Sequence, residues 1–333
     1  MEILYRSEKR LTTASKRTRK KRAPFKLDVM FSTVSRLINK SNNYLVKTII
    51  FTGLALIAFA ANSVLCRLAL GEGSIDAYSF TIIRLLSGAT VLLVIIRINR
   101  NKNGSSEKGS WSASLMLFLY AITFSLAYIT LDTGTGALIL FGSVQITILL
   151  LSVISGNRLH ITEWAGITIA FTGFVYLILP GVTTPSAVGF LLMAIAGIAW
   201  GIYTLKGRDS KSPLMDTAFN FLRTIPLVII LVIVTIKNAN YSSEGILLAV
   251  LSGGIASGIG YTIWYIALGG LSATQAAVIQ LLVPVIAALG GVIFVSEAIT
   301  LRLTVSSTMI LGGVLMVVLG RYYFVQLRLD SET

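Results

Sequence analysis

The sequence predicts an all-α protein that crosses a membrane many times, and three observations predict it. Hydrophobic residues make up 55% of the 333 positions and charged residues only 13%, far below the charged share of about 25% usual in soluble domains. The apolar residues fall in blocks of roughly 20, the length at which a helix crosses about 30 Å of hydrocarbon. Charge is also unevenly placed: of 28 Lys and Arg, thirteen lie in the first 47 residues, ahead of every apolar block.

Ten blocks read as helices, near residues 48–70, 76–97, 112–132, 135–155, 163–180, 187–206, 215–236, 245–268, 272–295 and 301–323. Short polar breaks such as GEGSI, TGTG, GNRLHIT and KGRDSKSP separate them. The chain then divides into a basic, disordered tail (1–47), a first five-helix half (48–180), a second (187–323) and a C-terminal tail (324–333). With the N-terminus inside, the inner connections hold Arg97, Arg100, Lys102, Lys108, Arg158, Lys206, Arg208 and Lys211. The outer ones hold only Arg67, Lys237 and Arg302. That bias puts both termini in the cytoplasm of a multi-pass protein of the inner or plasma membrane.

The N-terminal stretch ASKRTRKKRAP is too polar for the core of a signal peptide and suits attraction to anionic lipid. Met30 offers an alternative start that omits most of this tail. The net charge of +14 follows topology, so nucleic acid is not an expected partner. One cysteine, Cys66, and one histidine, His160, exclude a disulfide framework, a cysteine-based metal cluster and a two-histidine site. No metal or cofactor is expected.

Five helices per half means that the second half enters the membrane from the opposite side. CRLALGEGSIDAYSFTIIRLL, from Cys66, aligns without a gap on LKGRDSKSPLMDTAFNFLRTI, from Leu205, at an offset of 139, which sets Arg84 on Arg223. FSLAYITLDTGTGALI matches WYIALGGLSATQAAVI at an offset of 140, which sets Gly173 on Gly313. An inverted-topology repeat is an architecture of secondary transporters, with a solute site near the bilayer midplane.

An arginine deep in a spanning helix costs a few kcal/mol. Arg84 and Arg223 each sit about eight residues into a helix, roughly 12 Å deep, and each has an acidic residue near its own interface, Asp76 and Asp216. The pair can therefore anchor helices by ion pairing or snorkelling, or contact solute or a gate, where it favours a carboxylate. Other polar groups in apolar helices are Asn62, Ser63, Gln145, Gln275 and Gln280, with Trp200, Tyr203, Tyr261 and Trp264 among the aromatics. Such groups must face protein or water, either as helix–helix bonds, as an interfacial belt or as a cavity lining. Gln275 and Gln280, five apart, do not share a face, and Gln280 is preferred. Tyr261 lies farther from a segment end than Trp264 or Tyr265. GIASG (Gly254, Gly258) and GIAWG (Gly197, Gly201) place small residues four apart for close helix contact.

The ordered set of motifs across both halves resembles the drug/metabolite transporter superfamily in its EamA-domain branch. The resemblance covers about residues 50–322. It rests on FTIIRLLSGA and FNFLRTIPLV, and on WYIALGGLSATQAAVIQLLVPVIAALGGVIFVSEAIT with Pro284 and Glu297. It implies ten helices, alternating access and export of amino acids, metabolites or drugs through a central cavity. Val144 and Asn157 stand in the first half where Pro284 and Glu297 stand in the second, so a hinge at the proline and a gate at the glutamate belong to one half only. Asp216 joins these two as a structural or gating candidate.

A secondary transporter of small-molecule solutes is therefore the leading expectation, with a flippase for lipid or lipid-linked head groups as the alternative. An enzyme is not expected, since no nucleophile, base or metal constellation is visible, and no ring of polar residues suggests a pore filter. A homodimer is left open. No carboxylate sits clearly at the midplane and His160 falls in an inner loop, so a coupling proton has no evident carrier.

Overall fold

A computed structural model describes residues 27–98, 109–154, 161–179, 185–207, 210–271, 276 and 279–331. The chain forms two compact units, Met1–Lys47 and Thr48–Thr333. In the first, the described residues, 27 onward, are helical. The second is a helical bundle.

In chain order the helices are α1 (Leu27–Gly71), α2 (Ala77–Ile98), α3 (Trp111–Ala127), α4 (Thr133–Ile154), α5 (Ile161–Ile178), α6 (Ala187–Gly207), α7 (Pro213–Arg223), α8 (Ile225–Thr235), α9 (Ser243–Val250), α10 (Gly260–Leu268), α11 (Leu282–Val295) and α12 (Leu301–Ser331). Seven stretches among the described residues are long and apolar enough to cross a membrane: Val46–Gly71, Ala77–Ile98, Thr133–Leu151, Ala187–Gly207, Pro213–Asn238, Ser243–Leu268 and Leu301–Gly320. Three shorter apolar helices, Trp111–Ala127, Ile161–Leu177 and Leu282–Val295, complete the bundle. The third helix ends at Ala127, earlier than expected, because the chain turns through Tyr128–Leu131, where Thr130 N and Leu131 N share the Ala127 carbonyl in one 3-10-type and one α-type bond.

Two of the spans are interrupted for readable reasons. Pro226, in the first turn of α8, cannot donate to the Leu222 carbonyl, so the helix breaks after Arg223. Between α9 and α10 the run Leu251–Ile259 (LSGGIASGI) is a π-helix. Its glycines resist α-helix weakly, and the wider turn lets it lie directly on α2. A Cβ on Gly253 would strike the Arg84 carbonyl, and one on Gly88 would strike the Phe221 ring. The closest approach is thus made by Gly88 and Gly253 rather than by Gly254 and Gly258.

α2 packs on the π segment and on α7, α3 on α6 and α7, α4 on α6 and α11, and α5 on α12. Gly166 and Gly313 face each other's backbone across the α5–α12 contact, and Gly173 meets Met309 and Ile310. Outside the bundle proper, Ile75 pairs with Tyr241 in an isolated antiparallel bridge. Asp76 caps the start of α2: its carboxylate accepts from the N–H groups of Tyr78, Ser79 and Asn240. Partial burial raises its pKa, but these bonds outweigh that and hold it below the usual 3.8.

Candidate functional site

At the centre of the bundle Arg84 is 1% exposed. Its Nη2 donates to the Tyr120 and Tyr261 hydroxyls at 3.1 and 3.0 Å, and its Nε to Ser257 Oγ at 3.2 Å. The guanidinium lies 5.1 Å from the Tyr120 ring centre and 4.9 Å from that of Phe124, a cation–π geometry. Nη1 is buried and has no hydrogen-bond partner among the described residues. Asn62 joins the cluster, donating from Nδ2 to Tyr120 at 3.2 Å and accepting from Ser252 Oγ at 2.7 Å.

These groups back onto a void of about 10 Å³ lined by Phe59, Asn62, Ser63, Tyr120, Phe124, Leu140, Phe141, Trp200 and Tyr261. It is no larger than one water molecule. The rings around it are packed on one another: Trp200 lies 4.5 Å from Tyr261 and 4.9 Å from Tyr120, and Phe59 meets Trp264 edge-on at 5.6 Å.

The two ends of the bundle differ. At one end α1 finishes with Arg67, whose Nε pairs with Glu297 Oε1 at 3.1 Å and whose Nη2 lies 3.5 Å from Asp132. Nη1 donates to the carbonyls of Tyr128 and Ile129. Glu297 also accepts from Thr133 N at 2.9 Å, where the N-terminus of α4 favours negative charge. Gly291 leaves the space this carboxylate fills, since a Cβ there would strike Glu297 Oε2. Ser296, just before it, adopts φ 58°, a left-handed conformation that costs a non-glycine residue about 1 kcal/mol or more. The cluster ties the end of α1 to the start of α4 and to the segment after α11.

At the other end a cavity of about 390 Å³ opens between Gly109, Ser110, Ala113, Lys206, Gly207, Asp216, Asn220 and Tyr265. That volume lies within the range of small-ligand sites. Asp216 and Asn220 hold its rim by accepting from the N–H groups of Gly109 and Ser110 at 2.9 and 3.0 Å. Gly109 needs to be glycine, with φ +61° and a missing Cβ in the place of Asn220 Oδ1. Since α3 begins at this cavity and ends at the Arg67–Glu297 pair, the two lie about 26 Å apart, the length of its 17 residues. Tyr265, Tyr203, Trp200 and Tyr261 form a line of rings from the cavity to the central void, at 6.1, 5.3 and 4.5 Å.

The residues expected to matter fall in distinct places. Asn62, Ser63, Trp200 and Tyr261 line the void, and Arg84 stands behind Tyr120 and Tyr261. Tyr203 and Trp264 lie in the aromatic packing around it, and Trp264 Nε1 is buried without a partner among the described residues. Gln145 is buried in α4 and Gln280 is 2% exposed ahead of α11. Pro284 stands in the first turn of α11, following the break at Leu281, where its missing N–H cannot serve the Gln280 carbonyl. Arg223 is apart from Arg84, its guanidinium 5.6 Å from the Trp111 ring centre. His160, Asn157 and Gln275 lie outside the described residues.

The expected acidic partner of Arg84 needs correction. Asp76 is committed to backbone N–H groups, and Arg84 is held by hydroxyls instead. Tyr120, Ser257 and Arg67 escaped notice for related reasons. Tyr120 looks like any tyrosine in an apolar helix, Ser257 sits in a glycine run read for packing alone, and Arg67 reads as a connecting-loop charge.

Comparison with known proteins gives a consistent result. The sequence profile described as the EamA-like transporter family matches residues 187–319. An uncharacterized protein of Pseudomonas aeruginosa is 44% identical over 275 residues, covering 83% of this chain and 96% of its own. A protein of Archaeoglobus fulgidus named an uncharacterized transporter is 25% identical over 260 residues, 73% of this chain and 87% of its own. YoaV of Bacillus subtilis, also named an uncharacterized transporter, is 19% identical over 74% of this chain and 88% of its own. A crystal structure at 20% identity superimposes with a TM-score of 0.56, covering 80% of this chain and 98% of that one, which shows the fold alone.

Proposed function

The chain belongs to the EamA-like transporter family, and we propose that this multi-pass membrane transporter exports a small solute by alternating access, here with its cavity end open and its other end sealed. The observation that carries this reading is the contrast between the 390 Å³ cavity and the Arg67–Glu297 seal at opposite ends of α3. A solute entering beside Lys206 and Asp216 meets the aromatic line and stops at the central void. Release at the far side requires Arg67 to part from Glu297.

The pattern of helix packing supports a reading of two inverted halves. The packing pairs α2 with the π segment and α3 with α7, α4 with α11, and α5 with α12. An exchange of the halves maps this set onto itself, as an inverted repeat requires. The excess of basic residues supports a cytoplasmic position for the cavity end, with Lys206 at its rim, in a protein of the inner or plasma membrane, and the basic tail suits anionic lipid there.

The test is a profile of spent medium and of outer-leaflet lipid from cells with and without the intact chain. A few small solutes enriched outside only with the chain are expected. Unchanged medium with altered leaflet lipids would replace solute export by head-group flipping, and no change in either would remove the export reading.

A further inference from the structure

We infer that the central site takes a small monoanion, a carboxylate carried on a flat apolar body, and that it selects against amines and zwitterions; this rests on the transport reading above. The argument begins with the balance of donors. Arg84 is permanently charged and wholly buried, and no Asp or Glu pairs with it among the described residues. Its partners are neutral hydroxyls. Its Nη1 carries two further N–H groups that have no acceptor among those residues.

The tyrosines add to the surplus. Both hydroxyls accept from Arg84 Nη2, and they lie 3.3 Å from each other. Two hydroxyl protons share that single O···O contact, so one remains over. Tyr120 additionally accepts from Asn62, which turns its own proton away from Asn62 and Arg84. The cluster thus holds three spare donors and one spare positive charge; Tyr120, Tyr261 and Asn62 wall the void, and Arg84 stands behind the two tyrosine hydroxyls it bonds, so its Nη1 donors come into reach when the rings part. An ionised carboxylate accepts only, and charge-assisted bonds to it are the strong ones. A single guanidinium matches a single negative charge.

An aromatic box can also be a cage for cations, and here the buried arginine decides against it. Arg84 already occupies the faces of Tyr120 and Phe124, and a second cation would enter beside a like charge in a dry site. No carboxylate lines the void to receive an ammonium. The apolar walls, Phe59, Phe124, Leu140, Phe141 and Trp200, instead provide for the solute's body. Because the void is the size of one water, the rings must part for a solute to bind.

The experiment uses the purified full chain in detergent, with titration calorimetry against four compounds. Phenylacetate, phenylacetamide and phenethylamine share one body with charges of minus one, zero and plus one, and acetate has the charge without the body. Phenylacetate should bind about tenfold or more tightly than each of the others. Arg84→Gln should abolish that preference, and Tyr120→Phe should reduce it by about tenfold, as expected for loss of a donor to a charged group. If Arg84→Gln fails to fold, Tyr120→Phe and Arg84→Lys carry the test, since each keeps the site's volume.

Equal or better binding of the amide or the amine overturns the inference, as does absence of phenylacetate binding up to about 10 mM, beyond which affinity is negligible. Proteoliposome uptake separates the two readings. Binding of phenylacetate without transport leaves the site standing and removes the transport mechanism. Transport of other solutes without phenylacetate binding does the reverse.

Discussion

In the proposed two-half arrangement the two ends of the bundle draw on aligned places in the sequence, yet among the described residues one carries an ion-pair cluster and the other a cavity. Arg67 ends the first helix of its half, and Lys206 occupies the aligned position in the second. Arg67 finds Glu297 and Asp132, whereas Lys206 lines a cavity with Asp216. The position aligned with Glu297 is Asn157, so the second end lacks that carboxylate in its sequence. In the transport reading the two ends are held differently: Arg67 and Glu297 pair at one, and the N–H groups of Gly109 and Ser110 bond Asp216 and Asn220 at the rim of the other.

The largest expected effect comes from removing the seal. Glu297→Ala strips Arg67 and Thr133 N of a carboxylate whose side chain is only 12% exposed. Breaking such a pair costs about 3 kcal/mol or somewhat less at partial exposure. The melting temperature in detergent should fall and steady-state export should drop at least tenfold or so, each kcal/mol being worth several-fold in a two-state balance. Gly291→Ala attacks the same seal sterically by pressing a methyl on Glu297 Oε2. A penalty of about 1–3 kcal/mol is expected, and Glu297→Ala should relieve part of it when the two are combined, which a double-mutant cycle in thermal melts will show.

At the open end, Asp216→Ala frees the Gly109 N–H and the Ser210 hydroxyl. The rim should loosen at a cost of about 1–2 kcal/mol, visible as faster hydrogen exchange at residues 109–113 and little change at the seal. Asp132→Ala should do least of these four. Its side chain is 57% exposed and 3.5 Å from Arg67, so about 0–1 kcal/mol is expected, vanishing in high salt.

Asp76 gives a pH handle on the sealed end. Its folded pKa is depressed below 3.8, so its contribution is present above that value and is lost as pH falls through the folded pKa. Asp76→Ala should therefore lower the melting temperature slightly at neutral pH, and its difference from the parent should shrink as pH falls below the unfolded value of about 3.9.

The sequence shows the helices clearly because length and apolarity alone decide them, although the single helix expected over 215–236 breaks ahead of Pro226. It shows Arg84 as anomalous for the same reason: charge is costly there whatever its neighbours. Its partners are another matter. Ser252 and Ser257 are five apart and on an α-helix would point about 140° apart. The π-helix from Leu251 to Ile259 brings positions five apart onto one face, so Ser252 reaches Asn62 and Ser257 reaches Arg84. Period counting cannot anticipate a change of period. Asp76 illustrates the opposite error, in which spacing along one helix suggested an ion pair while unsatisfied N–H groups at the helix start claimed the carboxylate first. Glu297 was legible as a gate candidate from its family pattern, but its partner lies 230 positions away in sequence, beyond any local rule.

The most direct measurement is thiol accessibility in sealed vesicles, and the buried lone Cys66 makes a Cys66→Ser background simple to build. Lys206→Cys reports the cavity and Ser63→Cys reports the void behind the seal, where Ser63 is 1% exposed. A membrane-impermeant maleimide should label position 206 from the cavity side and leave position 63 untouched from the sealed side. Adding Glu297→Ala should expose position 63 and slow labelling at 206. Labelling of position 63 in the parent, or no change at either position on removing Glu297, would contradict the alternation of the two ends.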